Sequence, residues 1–235
     1  MKKIGLVGGI GPASTMEYYL GIIEKCHKEQ GRDRYPEIVI DSVNMSLHDS
    51  ALAEKDYERL GDYLVASLNN LKAAGAEIAA ITANAEHIVW NEVSHRFPLP
   101  VLSIVDATIS EIKRKGFKKV LVIGTTFVLQ SGLYESLLKK SGITAIIPAD
   151  EDVLLIGNII YPNLENGIII PEDRQKLIGL IEKYVLQEKA DSLILGCTEL
   201  PLVIKSGDVS VPVLNTTELH VEEIYRKAMD ESDFA

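Results

Sequence analysis

The chain has 235 residues, 46% hydrophobic and 25% charged, with 24 Lys and Arg against 34 Asp and Glu and a formal net charge of −10. This is the composition of a soluble globular chain with apolar residues enough for one large or two small cores; the acidic balance argues against a nucleic-acid partner, which needs a basic face, and no apolar run reaches the ~18 residues of a membrane span. Two cysteines, Cys26 and Cys197, fit a reducing cytosol better than a disulfide framework, and "MKKIGLVGG" lacks the apolar length and cleavage site of a signal peptide, so a cytoplasmic protein is expected.

In chain order, "KIGLVGG", "EIVIDSV", "EIAAIT", "PVLSIV", "KVLVIGT", "TAIIPA", "SLILGC" and "VPVLN" are short apolar runs rich in Ile, Val and Leu. Between them, "ASTMEYYLGIIEKCHKEQ", "DYERLGDYLVASLNNLKAAG", "ATISEIKRKG", "GLYESLLKKSG" and "EDRQKLIGLIEKYVLQEKA" carry apolar residues at helical spacing. Continuous apolar strands alternating with amphipathic helices predict an α/β fold with mostly parallel sheets flanked by helices. In such sheets ligands gather at the carboxyl ends of the strands.

The strand segments recur. "KKIGLVG" from Lys2 returns as "KKVLVIG" from Lys118, "AEIAAITANAE" from Ala76 matches "ADSLILGCTEL" from Ala190, and "PVLS" from Pro100 matches "PVLN" from Pro212. Three matches in one order at nearly constant offset predict two pseudo-symmetric α/β domains: residues 1–105 with 216–235, and residues 106–215. The final helix, "TELHVEEIYRKAM", is expected to pack back on the first domain, and the cleft between the halves is the expected ligand site.

Under the repeat, Cys197 falls opposite Ala83 and Thr198 opposite Asn84. Each segment is expected to end a buried strand and open a helix, where backbone N–H groups and the positive dipole end lower a thiol's pKa. A lone cysteine can equally be a small buried side chain; the duplicated context favours chemistry. "GLVGGIGPAST" lacks the third Gly of a dinucleotide loop and the Lys of a P-loop. It reads instead as a backbone nest, Gly9, Ile10 and Gly11 ahead of a helix begun by Pro12, offering N–H groups to a carboxylate. His87 can supply a proton or bond locally, and Glu86 and Glu199 can orient a base or cap a first turn. Cys26 is expected to be structural, and the five His and two Cys show no metal-ligand spacing.

Together "GLVGGIGPAST", "ITANAEH", "VLVIGTTF", "YPNLENGI" and "LILGCTELPL" resemble the aspartate/glutamate racemase superfamily, specifically its aspartate racemase branch. The resemblance covers nearly the whole chain and implies a homodimeric, cofactor-independent amino-acid isomerase. In that family the first-half motif is commonly Cys-Asn-Thr-x-His and the second Gly-Cys-Thr, with the two cysteines on opposite sides of the substrate α-carbon. The resemblance makes Cys197 the acid/base group and gives carboxylate binding to Asn84, Thr125 and Thr198, with Gly9, Ile10, Gly11, Ala85 and Glu199 around the substrate.

This chain departs from the pattern. Ala83 stands where the first catalytic cysteine belongs, and Ala85 replaces the following Thr. Val128 occupies a place where relatives often carry Thr, and "SVNMSLHDS" lacks the Arg that many aspartate racemases use to read the side-chain carboxylate. Three readings are open: a racemase with one thiol, in which His87 or Glu86 is an alternative acid/base; a single-cysteine lyase resembling arylmalonate decarboxylase; or a carboxylate-binding protein without turnover. The substrate expected is a small amino acid or carboxylic acid.

Overall fold

The computed structural model describes residues 1–230. In chain order its elements are β1 (Ile4–Gly8), α1 (Pro12–Gln30), β2 (Ile38–Ser42), α2 (Met45–Ala53), α3 (Tyr57–Ala73), β3 (Ile78–Ile81), α4 (Trp90–Val93), β4 (Val101–Leu102) and α5 (Ile104–Lys115). They continue with β5 (Lys119–Gly124), α6 (Thr126–Gln130), α7 (Leu133–Lys140), β6 (Thr144–Ile146), α8 (Asp150–Ile160), α9 (Pro171–Glu188), β7 (Ser192–Gly196), β8 (Val213–Asn215) and α10 (Thr216–Met229). The chain divides into two compact units, Met1–Ala107 joined by the segment that begins at Thr217, and Thr108–Thr216.

Each unit holds one four-stranded sheet, in the orders β2-β1-β3-β4 and β6-β5-β7-β8, and every pairing is parallel. The registers make the internal repeat exact along the chain. Ile4 lies opposite Ile78 in the first sheet as Val120 lies opposite Ser192 in the second, and Ala79 pairs Val101 as Leu193 pairs Val213. The shifts between halves, 116 from Ile4 to Val120, 114 from Ile78 to Ser192 and 112 from Val101 to Val213, are those of the three sequence matches.

Both faces of the first sheet are buried at its central strands, so β1 and β3 are apolar on consecutive positions. Val7, Ala79 and Ile81 face Leu60, Leu64, Leu68 and Leu71 of α3, each fully buried Leu contributing about 1.5–3 kcal/mol. Ile4, Leu6, Ile78 and Ala80 face Tyr18 and Ile22 of α1 and Val221, Ile224 and Ala228 of α10. The last helix thus returns to the first sheet, and the Lys2 amide donates to the Ala228 carbonyl at 2.8 Å. Asp56 starts α3 as an N-cap, its carboxylate accepting from the Arg59 amide at 3.0 Å.

All eight apolar runs form strands, but "PVLSIV" is strand only at Val101–Leu102. Ser103 stops it by capping α5: its carbonyl accepts from the Ala107 amide at 3.0 Å and its Oγ from the Asp106 amide at 3.2 Å. Helix α8 opens with Asp150, Glu151 and Asp152 and buries Val153, Ile156, Ile159 and Ile160 on one face, while Leu154 beside them is 56% exposed.

Candidate active site

The carboxyl end of β7 carries a hydrogen-bonded cluster. Gly196 is held close to β5, where an added Cβ would sit 3.1 Å from the Ile123 carbonyl oxygen, and this fixes the residues after it. Cys197 Sγ donates to Glu199 Oε2 at 3.0 Å, and Thr198 Oγ1 donates to the same oxygen at 3.0 Å. All three side chains are buried.

The pKa of Cys197 corrects the sequence expectation. Beyond the thiol the chain forms a 3₁₀ turn of three residues, Leu200–Leu202, too short to build a helix dipole. Burial raises the Cys197 pKa well above its ordinary value, and the Glu199 and Glu165 carboxylates raise it further. The resting group is a protonated thiol that donates, rather than a preformed thiolate.

In the first unit the equivalent segment leaves β3. Thr82 ties it down: its amide and its Oγ1 both donate to the Val7 carbonyl, at 3.0 and 2.9 Å, and its own carbonyl accepts from Ser14 Oγ at 2.8 Å. Ala83 and Asn84 come next, both buried, and Ala83 presents a methyl where the register places it opposite Cys197 in the repeat. A 3₁₀ turn over Ala85–Val89 carries Glu86 and His87; here too the expected α-helix is absent.

Glu86 is already engaged. Its buried carboxylate is in ion-pair contact with His48 Nε2, and His48 Nδ1 lies 3.1 Å from Asp49 Oδ1. Burial pulls the His48 pKa down, but Glu86 and then Asp49 outweigh it and raise the value to about 8. His48 is the functional candidate that sequence reading missed: its only signal is a His in the polar stretch after β2.

His87 is a different case. Its ring stacks on Trp90 with centroids 4.9 Å apart and planes 8° apart, and neither buried ring nitrogen completes a hydrogen bond. Burial lowers its pKa to about 4 against the opposing pull of Glu86 and the Ala83 and Asn84 backbone. It is neutral at pH 7, a weak base with one N–H to give.

The remaining predicted binders lie at neighbouring strand ends. Gly9, at φ +85°, makes the turn after β1, and an added Cβ would meet the Val43 carbonyl oxygen at 2.7 Å. Its amide is used by Thr15 Oγ1 at 2.9 Å, whereas the N-terminus of α1, opened by Gly11 and Pro12, has no side-chain cap. Thr125 comes directly after β5 and caps α6, its Oγ1 accepting from the Val128 amide at 3.2 Å, so its hydroxyl proton can point to a ligand. The first sheet thus brings the Gly9–Gly11 turn beside Ala83 and Asn84, and the second brings Thr125 beside Cys197. Among the described residues no group of His, Cys, Asp and Glu could hold a metal ion, and no helix is long and apolar enough to cross a membrane.

Comparison with known proteins places this geometry in a family. The chain is 26% identical to the broad-specificity amino-acid racemase RacX of Bacillus subtilis, over 91% of this chain and 92% of that protein. The crystal structure of an aspartate racemase homologue from Pyrococcus horikoshii superposes with a TM-score of 0.87 at 36% identity, covering 98% of this chain and all of the other. Picrophilus torridus aspartate racemase shares the fold, with a TM-score of 0.76 at 23% identity over 97% of this chain and 94% of that one. Residues 7–224 match the model of the Asp/Glu/hydantoin racemase family, and the chain belongs to that family.

Proposed function

We propose that the chain is a cofactor-independent amino-acid racemase, aspartate racemase-like in its architecture, in which Cys197 is the acid/base group and Ala83 leaves the equivalent position of the first unit without a thiol. The observation that carries this reading is the hydrogen bond from Cys197 Sγ to Glu199 Oε2 at the carboxyl end of β7. A buried thiol is a poor base, and a carboxylate 3.0 Å away gives its proton somewhere to go.

That pair sets the chemistry. Glu199 takes the Sγ proton, the thiolate takes the α-hydrogen as a proton, and the C–H electron pair moves into the substrate carboxylate as an enediolate. Returning the proton from sulfur to carbon reverses these steps. Thr198, bonded to the same Glu199 oxygen, is a positioning residue for the carboxylate. Asn84, the Thr125 hydroxyl and the Ile10 and Gly11 amides supply donors to the developing charge, usually the largest catalytic contribution; the Gly9 amide is taken by Thr15 Oγ1. Similarity to both an aspartate racemase homologue and a broad-specificity racemase supports an α-amino acid as substrate. Two free, buried thiols agree with a cytoplasmic setting, and the family resemblance supports a homodimer.

A one-thiol lyase is the second reading, favoured by Ala83: loss of carbon dioxide would leave a carbanion that Cys197 alone protonates. The deciding experiment incubates the protein with a panel of amino acids in deuterated water, tracks the α-proton by NMR, and assays malonates for gas release. Exchange that Cys197→Ala abolishes by ~10² to 10⁴-fold and Cys26→Ala preserves supports the racemase. Cys26 lies in α1 with its Sγ on the Arg34 carbonyl at 3.5 Å, apart from this chemistry. Gas release without exchange supports the lyase, and binding without either leaves a carboxylate-binding protein.

A further inference from the structure

Helix α9 is latched at two points to the segment that leaves the Cys197 turn. Arg174 Nε donates to the Val203 carbonyl at 3.0 Å, and Arg174 Nη2 lies 2.7 Å from Asp208 Oδ1. Asp208 is itself held, its Oδ2 accepting from the Lys205 amide at 2.8 Å. About two turns farther along α9, the Glu182 carboxylate accepts from both the amide and the hydroxyl of Ser210.

Only the first latch reaches the acid/base pair. Backbone bonds run in sequence from Cys197 to Val203: the Leu200 amide donates to the Cys197 carbonyl at 3.2 Å, the Leu202 amide to the Glu199 carbonyl at 2.9 Å and the Val203 amide to the Leu200 carbonyl at 3.0 Å. The entry to that turn is fixed by β7, where Gly196 lies opposite Gly124 of β5. Its exit is the Val203 carbonyl, which Arg174 holds. Glu199 lies between these two anchors, with its carboxylate on Cys197 Sγ at 3.0 Å. A narrow crevice beside Arg174 is lined by Leu164, Ile168 and Val203, so the guanidinium also borders the loop that carries Glu165, the other carboxylate whose charge acts on Cys197.

The contribution of Arg174 is geometric. Its ion pair with Asp208 is partly exposed, with side chains 33% and 22% accessible, so it adds little to stability, and the buried Leu200, Val203 and Ile204 keep the turn in the core without it. What the guanidinium supplies is a planar fork that fixes a carbonyl and a carboxylate at once, which the single ammonium of a lysine does not reproduce. We propose that Arg174 is a positioning residue for the acid/base pair: by holding the Val203 carbonyl it keeps the turn in the arrangement that sets the Glu199 carboxylate on Cys197 Sγ. A displacement of about 1 Å in a reacting pair costs on the order of 10²-fold in rate. The assignment rests on the racemase reading of Cys197, so its test includes a readout on the thiol that needs no turnover.

The test is a double-mutant cycle. Alkylation of Cys197 by iodoacetamide at pH 8 is followed by mass spectrometry in the unaltered protein, Arg174→Lys, Glu199→Gln and the double variant. If Arg174 acts through Glu199, Arg174→Lys speeds labelling severalfold when Glu199 is present and has no effect once it is Gln. Arg174→Ala should behave in the same way, and Glu182→Ala, which releases only the farther latch, should leave labelling unchanged. In α-hydrogen exchange Arg174→Lys should lower kcat at least about tenfold with KM within about twofold. Equal acceleration with and without Glu199 would mean that the substitution only opens the site to reagent. Unchanged labelling in both Arg174 variants would mean that the turn keeps its geometry unaided, and a loss confined to KM would place Arg174 in substrate binding. Each of these three results overturns the proposal. If no amino acid exchanges, the racemase reading falls, and the labelling cycle still decides the role of Arg174.

Discussion

Cys197 Sγ and Glu199 Oε2 lie 3.0 Å apart in a buried pair, so the thiol and the carboxylate share one proton, and its place decides whether the site acts as acid or base. With burial, Glu199 and Glu165 all raising the thiol pKa, the proton rests on sulfur. Alkylation of Cys197 by iodoacetamide should therefore be slow near neutral pH and accelerate only in alkaline solution, because the thiolate is the nucleophile. Glu199→Gln removes a negative neighbour and should speed labelling severalfold at pH 8, read by mass spectrometry of the Cys197 peptide. Fast labelling of the unaltered protein at pH 7 would contradict the assigned proton position.

Donors to the substrate carboxylate should matter most when charge develops. Asn84→Ala and Thr125→Ala are each expected to lower kcat on the order of 10²-fold. Thr125→Ser keeps the hydroxyl and with it the cap on α6, and should retain most of the activity, whereas Thr125→Ala removes both. Steady-state kinetics separates the roles: a rise in KM with kcat unchanged would mean that these residues bind the ground state only.

His48 predicts an alkaline loss of stability. Its folded pKa is raised from 6.5 to about 8, so its pairing with Glu86 contributes fully below pH 6.5 and is lost as pH rises through about 8. Denaturant unfolding at pH 6 and pH 9 should show the difference. Glu86→Gln leaves burial as the dominant influence and should move the His48 titration, observed by NMR, down toward or below its ordinary value. An unmoved titration would show that the pair does not set the charge on His48.

His87 and His220 predict the opposite limb. Burial lowers His87 to about 4 and His220 to about 3; the His220 ring is held between the Tyr18 hydroxyl at 2.9 Å and the Leu102 carbonyl at 3.0 Å. Both should stay neutral in NMR titrations down to pH 5. The stability they contribute is present above their unfolded value of 6.5 and is lost as pH falls through about 4 and 3. Titration of either ring near pH 6.5 would show that it is open to water.

The sheets were legible in the sequence because strands buried on both faces must be apolar at consecutive positions, and "KKIGLVG" and "KKVLVIG" carry that mark twice. The repeat offsets located Ala83 opposite Cys197, and the registers reproduce them. Not every element was legible. Helix α2, "MSLHDSALA", has almost no helical period in its apolar residues, and in α8 the period of Val153, Ile156, Ile159 and Ile160 is blurred by the exposed Leu154 and Leu155 beside it. The thiol's proton affinity was hidden for a different reason. "GCTEL" resembles a helix start, but Pro201 and Leu202 close a single 3₁₀ turn, and only coordinates show the Glu199 carboxylate folded back onto sulfur. The His48–Glu86 pair joins positions 38 residues apart in sequence, a distance that no local pattern records.

In the proposed mechanism one thiol moves the α-proton and Ala83 supplies no second. Inversion needs proton traffic on both faces of the α-carbon, whereas exchange needs one acid/base group on one face. The most direct measurement therefore records, for a substrate that the site accepts, loss of the α-proton into deuterated water by NMR and appearance of the other enantiomer by chiral chromatography in the same sample. Exchange of one enantiomer is expected to run far ahead of inversion, and Ala83→Cys to raise inversion by ~10² to 10⁴-fold, as a positioned acid/base does. Inversion already as fast as exchange, and unchanged in Ala83→Cys, would contradict the one-thiol mechanism and make His87 or Glu86 the second base.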